Sequence, residues 1–417
     1  MRSFLRKTLS ETSVPGVFEA ARIAYGISRS VKRGFKLRRP HGEGQRVKAK
    51  TGFAHSFCGY YDHSPFLAED ESVLLVHSTD ASILRAPDPK KPAAVSAIDW
   101  RSGREIERLG ESRAWNWQQG CRALWLGGQR WIYNRFSEQR GEYVSITGGL
   151  GCTERQELPW PVQEVSPTGM LYSLNYAVLA ALRPDYGYFN RPLRQGEMDR
   201  AGIIEFSPDG ADSRQIVEIR RLREDAESRH RKHIQNYKIN HILSSPCGNY
   251  IIFMFRYYIE NKRVTDVYTH ELHNGITKIL FDNKYVSHYC WLNQRNILFT
   301  GKINEEFGYY IMDILKNKPT KVLTWADGHP AKTSSEQFIT DTYADTDGVK
   351  SLWRVDMAKE VERDVETTLL GEFVEPWYLW GGRRCDLHPS PSPSARYWQV
   401  DSISAGRRTP VIGALAG

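Results

Sequence analysis

A polar lead, a turn and an apolar strand follow one another seven times along the chain. The copies open at Tyr60 (YYDHSPFLAEDESVLLVHS), Asn116 (NWQQGCRALWLGGQRWIYNRF), Val162 (VQEVSPTGMLYSLNY), Lys238 (KINHILSSPCGNYIIFMFRY), Val286 (VSHYCWLNQRNILFTGK), Asp327 (DGHPAKTSSEQFITDTY) and Cys385 (CDLHPSPSPSARYWQVDS). Their starts fall roughly 40–60 residues apart, the length of one four-stranded propeller blade, with a longer gap before residue 238. The strand after His241 has no wet face, as expected of a strand covered on both sides by stacked sheets. Seven phased copies argue against one large β-sandwich. The fold class expected is all-β, a seven-bladed β-propeller over 51–417, with a short basic and partly helical N-terminal extension over 1–50 and a charged, helix-compatible insertion near 215–238.

Composition fits a folded chain: 40% hydrophobic residues, 12 Trp, and no apolar run long enough to span a bilayer. The net charge of +8 is local, because residues 1–50 hold 13 Lys/Arg and 3 Asp/Glu while the remainder holds 44 and 46. The near-neutral body, with no basic-aromatic interleaving, excludes nucleic acid as the expected partner. Six widely spaced cysteines read as reduced thiols, and the N-terminus lacks the apolar core of a secretory leader. A cytoplasmic location is expected. Residues 16–33 read either as a basic helix resting on the inner membrane surface or as a docking helix or disordered lead-in; the oligomeric state is not readable.

In a propeller the innermost strand of each blade starts near the central channel, so the lead positions should form a ring. They are Asp62 and His63, Gln118 and Gln119, Glu164, Asn240 and His241, His288, Asp327 and His329, and Asp386 and His388. Five of the 12 histidines share this register. Imidazoles among carboxylates and amides suit either a divalent metal or acid–base work near neutral pH. In AALRPDYGYFNRP, Arg183, Tyr186 and Tyr188 read either as a clamp for a carboxylated sugar or as structural stacking.

The segments CGYYDHSPF, NWQQGC, LRPDYGY, NHILSSPCGNY, SHYCW, DGHP and CDLHPSPSPSARYWQVDS resemble the oligogalacturonate lyase family, seven-bladed propellers related to TolB-like repeats, and propellers found among bacterial surface-polysaccharide genes. The resemblance implies β-elimination on uronate glycans with a manganese ion. Carried over, it makes His241 the catalytic histidine and Arg183 the candidate arginine, and makes His288 and His388 metal ligands. Asp386 and His329 join the metal set, and Asp62, His63, Gln118, Tyr186, Tyr188 and Arg383 are substrate-binding candidates. The family's last blade reads Q-x-x-H-x-H-P, where this chain has Arg383, Asp386 and His388. An aspartate suits a divalent ion; an arginine does not. The implied partner is an acidic oligosaccharide or polysaccharide. The alternative function is a non-catalytic glycan-binding or scaffold propeller in surface-polysaccharide assembly.

Overall fold

The computed structural model describes residues 44–282, 285–357, 365–376, 378–379, 381–404 and 406–415. The helix expected over 16–33 lies outside them. Seven four-stranded antiparallel sheets are arranged as a propeller, spanning 55–112, 124–158, 164–218, 235–281, 285–323, 331–374 and 390–414. The seventh takes its outer strand from Gln45–Arg46, which pairs with Val411 and Ile412 and so joins the first and last strands of the described residues. The ring therefore begins before residue 51, within the expected extension.

Strand periodicity explains why the ring holds together. In Tyr250–Ile259, Phe253 and Phe255 pack into the cluster shared with blade three, whereas Ile252 and Met254 pack into the cluster shared with blade five. Alternate side chains thus serve two interfaces, and each fully buried one contributes about 1.5–3 kcal/mol. Ser-Pro turns set the strand starts. The Gly169 and Gly248 N–H groups donate to the Ser166 and Ser245 carbonyls, with φ of 84° and 71°, left-handed values that glycine adopts freely. In blade seven the same turn is closed by Ala395 at φ 55°.

Three short helices occur among the described residues: α1 (Tyr176–Leu182), α2 (Glu197–Arg200) and α3 (Ile219–His230). The Asn175 side chain accepts from the Ala177 and Val178 N–H groups at 3.0 Å and so starts α1, which packs on the innermost strand of blade four and ends at Arg183. The α3 helix falls within the charged stretch near 215–238 and buries Ile219, Leu222 and Ala226. No described helix is long and apolar enough to cross a membrane. All six cysteines are unpaired; Cys121 and Cys385 are buried, and Cys152 is exposed.

Candidate functional site

Four imidazoles from four blades meet in the channel. His241 and His288 lie on the innermost strands of blades four and five, and His329 and His388 precede those of blades six and seven. Ring centroids are 4.1 Å apart for His288 and His329, 4.7 Å for His329 and His388, and 5.7 Å for His241 and His288. The pairing register slips between Asn240 and Leu243 and between Val286 and His288, so both strand histidines sit at bulges, which turn side chains out of the pleat. His241 and His388 adopt φ of 54° and 47°, strained values for a residue with a Cβ that tend to cluster at functional sites. Tyr60 fits between them: its hydroxyl is 2.9 Å from His241 Nδ1 and its ring 4.7 Å from that of His388.

His329 Nδ1 faces Asp341 at 2.9 Å, and His388 Nδ1 lies 3.1 Å from the Gly59 carbonyl, to which it donates. Outer partners of this kind fix the ring and leave Nε2 for a ligand. Both Nε2 atoms, with Asp386 Oδ1, are buried and lack a hydrogen-bond partner, and ligand atoms of these three residues lie within 4.8 Å of one another. Two imidazoles and a carboxylate this close together, each with an orphaned atom, fit a divalent cation. Asp386 is also gripped by Arg384 Nε at 2.5 Å, with Lys350 Nζ 3.8 Å away.

Burial lowers the pKa of His241 well below the ordinary range, and the Arg256 charge adds to it. Burial likewise keeps His288 and, more strongly, His388 neutral. For His329 burial acts downward, but the Asp341 carboxylate outweighs it and raises the pKa. Burial works against the charged form of Asp386, yet Arg384 and Lys350 hold its carboxyl far below the usual range. Asp327 is pulled down to about 2, against its burial, by His288 and by hydrogen bonds from Ser287 and Thr300.

The residues expected in one ring are divided along the channel. His241, His288, His329, Asp386 and His388 come together; Arg183 and Tyr186 join them, with Tyr186 at 6.0 Å from His241 and the Arg183 guanidinium 5.0 Å above the Tyr186 ring. Gln118 reaches the same end, its Nε2 donating to the Arg384 carbonyl at 2.8 Å. Asp62 and His63 do not. These two follow Tyr60 and Tyr61 in a turn that leads directly into Ser64-Pro65. There Asp62 is locked to buried Arg122 at 2.9 Å, and His63 pairs with Glu164 at 2.7 Å beside a cavity of about 720 Å³. Tyr61 bridges the two levels, lining that cavity while its ring stands 5.1 Å from His329. Tyr188 is fully buried and stacked 4.1 Å from Tyr176, its hydroxyl bonded to Asn134, so it is core rather than channel. Arg383 turns outward to the Leu84 carbonyl, and it is Arg384 that enters the site.

Tyr60, Arg384, Asp341, Lys238 and Arg256 escaped the sequence reading. Arg256 had left a signal: it is a lone charge inside IIFMFRYYI, a strand with no other reason to carry one.

No protein-family model matches the chain, and no curated protein matches it in sequence. Solved structures do resemble it. An oligogalacturonate lyase in complex with manganese superposes with a TM-score of 0.61 at 10% identity, covering 90% of this chain and 96% of the other. The oligogalacturonate lyase from Vibrio parahaemolyticus gives 0.60 at 10% identity, covering 90% and 97%. The propeller domain of the Trilobed protease from Pyrococcus furiosus gives 0.50 at 10% identity, covering 87% and 99%. At such identity the likeness is one of architecture, and in architecture the chain is a seven-bladed propeller of the kind that oligogalacturonate lyases share.

Proposed function

We propose that the histidine-lined end of the channel takes a uronate-containing glycan and cleaves it by β-elimination. The observation that carries this reading is the convergence of four buried imidazoles, three of them held neutral, with a buried carboxylate and a set of cationic side chains. A neutral His241 has a lone pair to take the proton at C5 of a uronate. As that C–H bond breaks, its electron pair forms the C4=C5 double bond, the C4–O bond breaks, and the departing oxygen takes a proton to leave as an alcohol. The Tyr60 hydroxyl, bonded to the same imidazole, supports a role in relaying that proton. Arg183 and Tyr186 offer a guanidinium for a carboxylate and a ring face for the sugar. His329, His388 and Asp386 would hold a divalent cation, with manganese the choice that the lyase in complex with manganese suggests; when bound it supplies Lewis-acid stabilisation of developing negative charge.

One observation favours a second reading. Asp386 is already neutralised by Arg384 and Lys350, as in a glycan-binding propeller that works without metal. The full chain incubated with a panel of acidic oligosaccharides, with and without manganese, separates the two. Elimination produces the ultraviolet absorbance of an unsaturated uronate, and His241→Ala should lower that rate by about 10²–10⁴-fold. Metal content should fall in a His329→Ala, His388→Ala double variant. Absence of product across the panel, together with retained glycan binding, would leave the binding reading standing and end the lyase.

A further inference from the structure

Beside His241 lies a pair of cations with no counter-charge. Lys238 and Arg256 are direct cross-strand partners on the two inner strands of blade four, and both are buried, at 4% and 5% exposure. Arg256 donates only to Met254 Sδ at 3.0 Å and to the Ser287 carbonyl at 3.4 Å, while its buried Nε has no partner. Lys238 Nζ reaches only the Asn236 carbonyl at 3.4 Å and stands 5.8 Å from the Tyr258 ring centroid. Among the described residues no carboxylate forms an ion pair with either.

The nearest acids are committed elsewhere. Asp185 is shared by Arg183 and Arg384 at 2.9 Å each, and Asp386 by Arg384 and Lys350. Burial followed by the charges of Arg256, Arg183 and Arg263 pushes the Lys238 ammonium down to about 8, and burial with the charges of Arg183 and Arg263 pushes Arg256 down to about 10. Buried cations are ordinarily paired, because desolvation without compensation is costly. Two of them left unpaired and adjacent imply that the missing charge arrives from outside.

We infer that the Lys238–Arg256 pair is an oxyanion receptor, holding a carboxylate of the acidic sugar against the His241 side of the channel. This rests on the uronate reading and adds to it a specificity-determining subsite that is independent of any metal. A guanidinium with a free edge and an adjacent ammonium suit a planar carboxylate, the first by a forked pair of bonds and the second as a point charge. A neutral sugar would leave both cations desolvated and unpaired, so the pair also rejects uncharged glycans.

The test is binding of unreactive monosaccharides to the full chain by calorimetry, without added metal. Glucuronate, galacturonate, their neutral parent sugars and plain acetate are compared in the wild type, Arg256→Met and Lys238→Met. Uronates should bind at least tenfold more tightly than the parent sugars, and each variant should remove that preference. Thermal melts keep the result interpretable: removing an uncompensated buried cation should leave the ligand-free protein as stable as before or more so, whereas a structural role would lower the melting temperature. Unchanged uronate affinity in both variants would overturn the inference, as would loss of ligand-free stability without loss of affinity. Acetate bound through Arg256 with no gain from the sugar would keep the receptor and remove the glycan reading instead.

Discussion

His63 and Glu164 come from different blades, and Glu164 also accepts from the Ser244 N–H at 2.9 Å and hydroxyl at 2.6 Å. Burial acts to lower the His63 pKa, but the Glu164 carboxylate outweighs it and raises it above the ordinary 6.5. A group whose folded pKa is raised contributes stability that is complete below its unfolded pKa and is lost as pH rises through the folded value. His63→Gln should therefore cost more at pH 6 than at pH 9, by about 1 kcal/mol for a partly exposed charged hydrogen bond. Urea melts of both proteins at the two pH values measure this, and an equal cost at both would mean the imidazole stays uncharged. The channel histidines were legible because they share one register ahead of the turns. What register alone could not resolve was depth: Asp62 and His63 stand only a few residues past Tyr60, yet that carries them out of the histidine cluster and into pairs with Arg122 and Glu164. Tyr186 and Tyr188 likewise lie two residues apart in one loop, and only packing decides that the first meets His241 while the second stacks on Tyr176.

The turn motif is where an element can be corrected by a single substitution. Blades three and four close it with Gly169 and Gly248, whereas blade seven uses Ala395, which holds φ 55° and packs partly against the cluster around Trp398. A Cβ in the left-handed region costs about 1–2 kcal/mol, and glycine gives back part of this through its larger unfolded-state freedom. Ala395→Gly should raise stability by about 0.5–1 kcal/mol, read as a higher denaturant midpoint with unchanged slope. A lower midpoint would show that the methyl contact in the blade-seven cluster outweighs the backbone. The recurrence of Ser-Pro made this element visible in the chain, and the missing polar face of Tyr250–Ile259 marked a strand covered on both sides. The α3 helix was legible as a charged, helix-compatible stretch, but what it packs on was not. Its role depends on Arg229, which joins Asp225 on the helix to Asp266 and Asp282 on blade four, contacts no local pattern encodes.

A propeller ring can be fastened by a blade that draws strands from both sides of the junction, and here that closure rests on very little sequence. Gln45 and Arg46 are an exposed polar pair with no strand signature, which is why residues 45–50 read as extension rather than as ring. Next to them Val47 is 1% exposed, its N–H donating to the Pro410 carbonyl at 2.9 Å and its carbonyl accepting from the Thr409 hydroxyl at 2.8 Å. Burying that valine contributes about 2 kcal/mol and each hydrogen bond about 1 kcal/mol, so the segment is worth about 4 kcal/mol to the closed ring. A second tie spans the same junction, since the Asp401 carboxylate accepts from the Cys58 and Gly59 N–H groups at 2.9 Å each. That tie lies beyond residue 51 and should keep the blades in order without the outer strand. A chain beginning at Gly44 should then be about 4 kcal/mol more stable than one beginning at Thr51, and the shorter chain should self-associate through the uncovered edge at Val411 and Ile412. Denaturant midpoints and light scattering on the two chains decide it, because equal midpoints with both chains monodisperse would mean that the ring is closed by Asp401 and inter-blade packing alone.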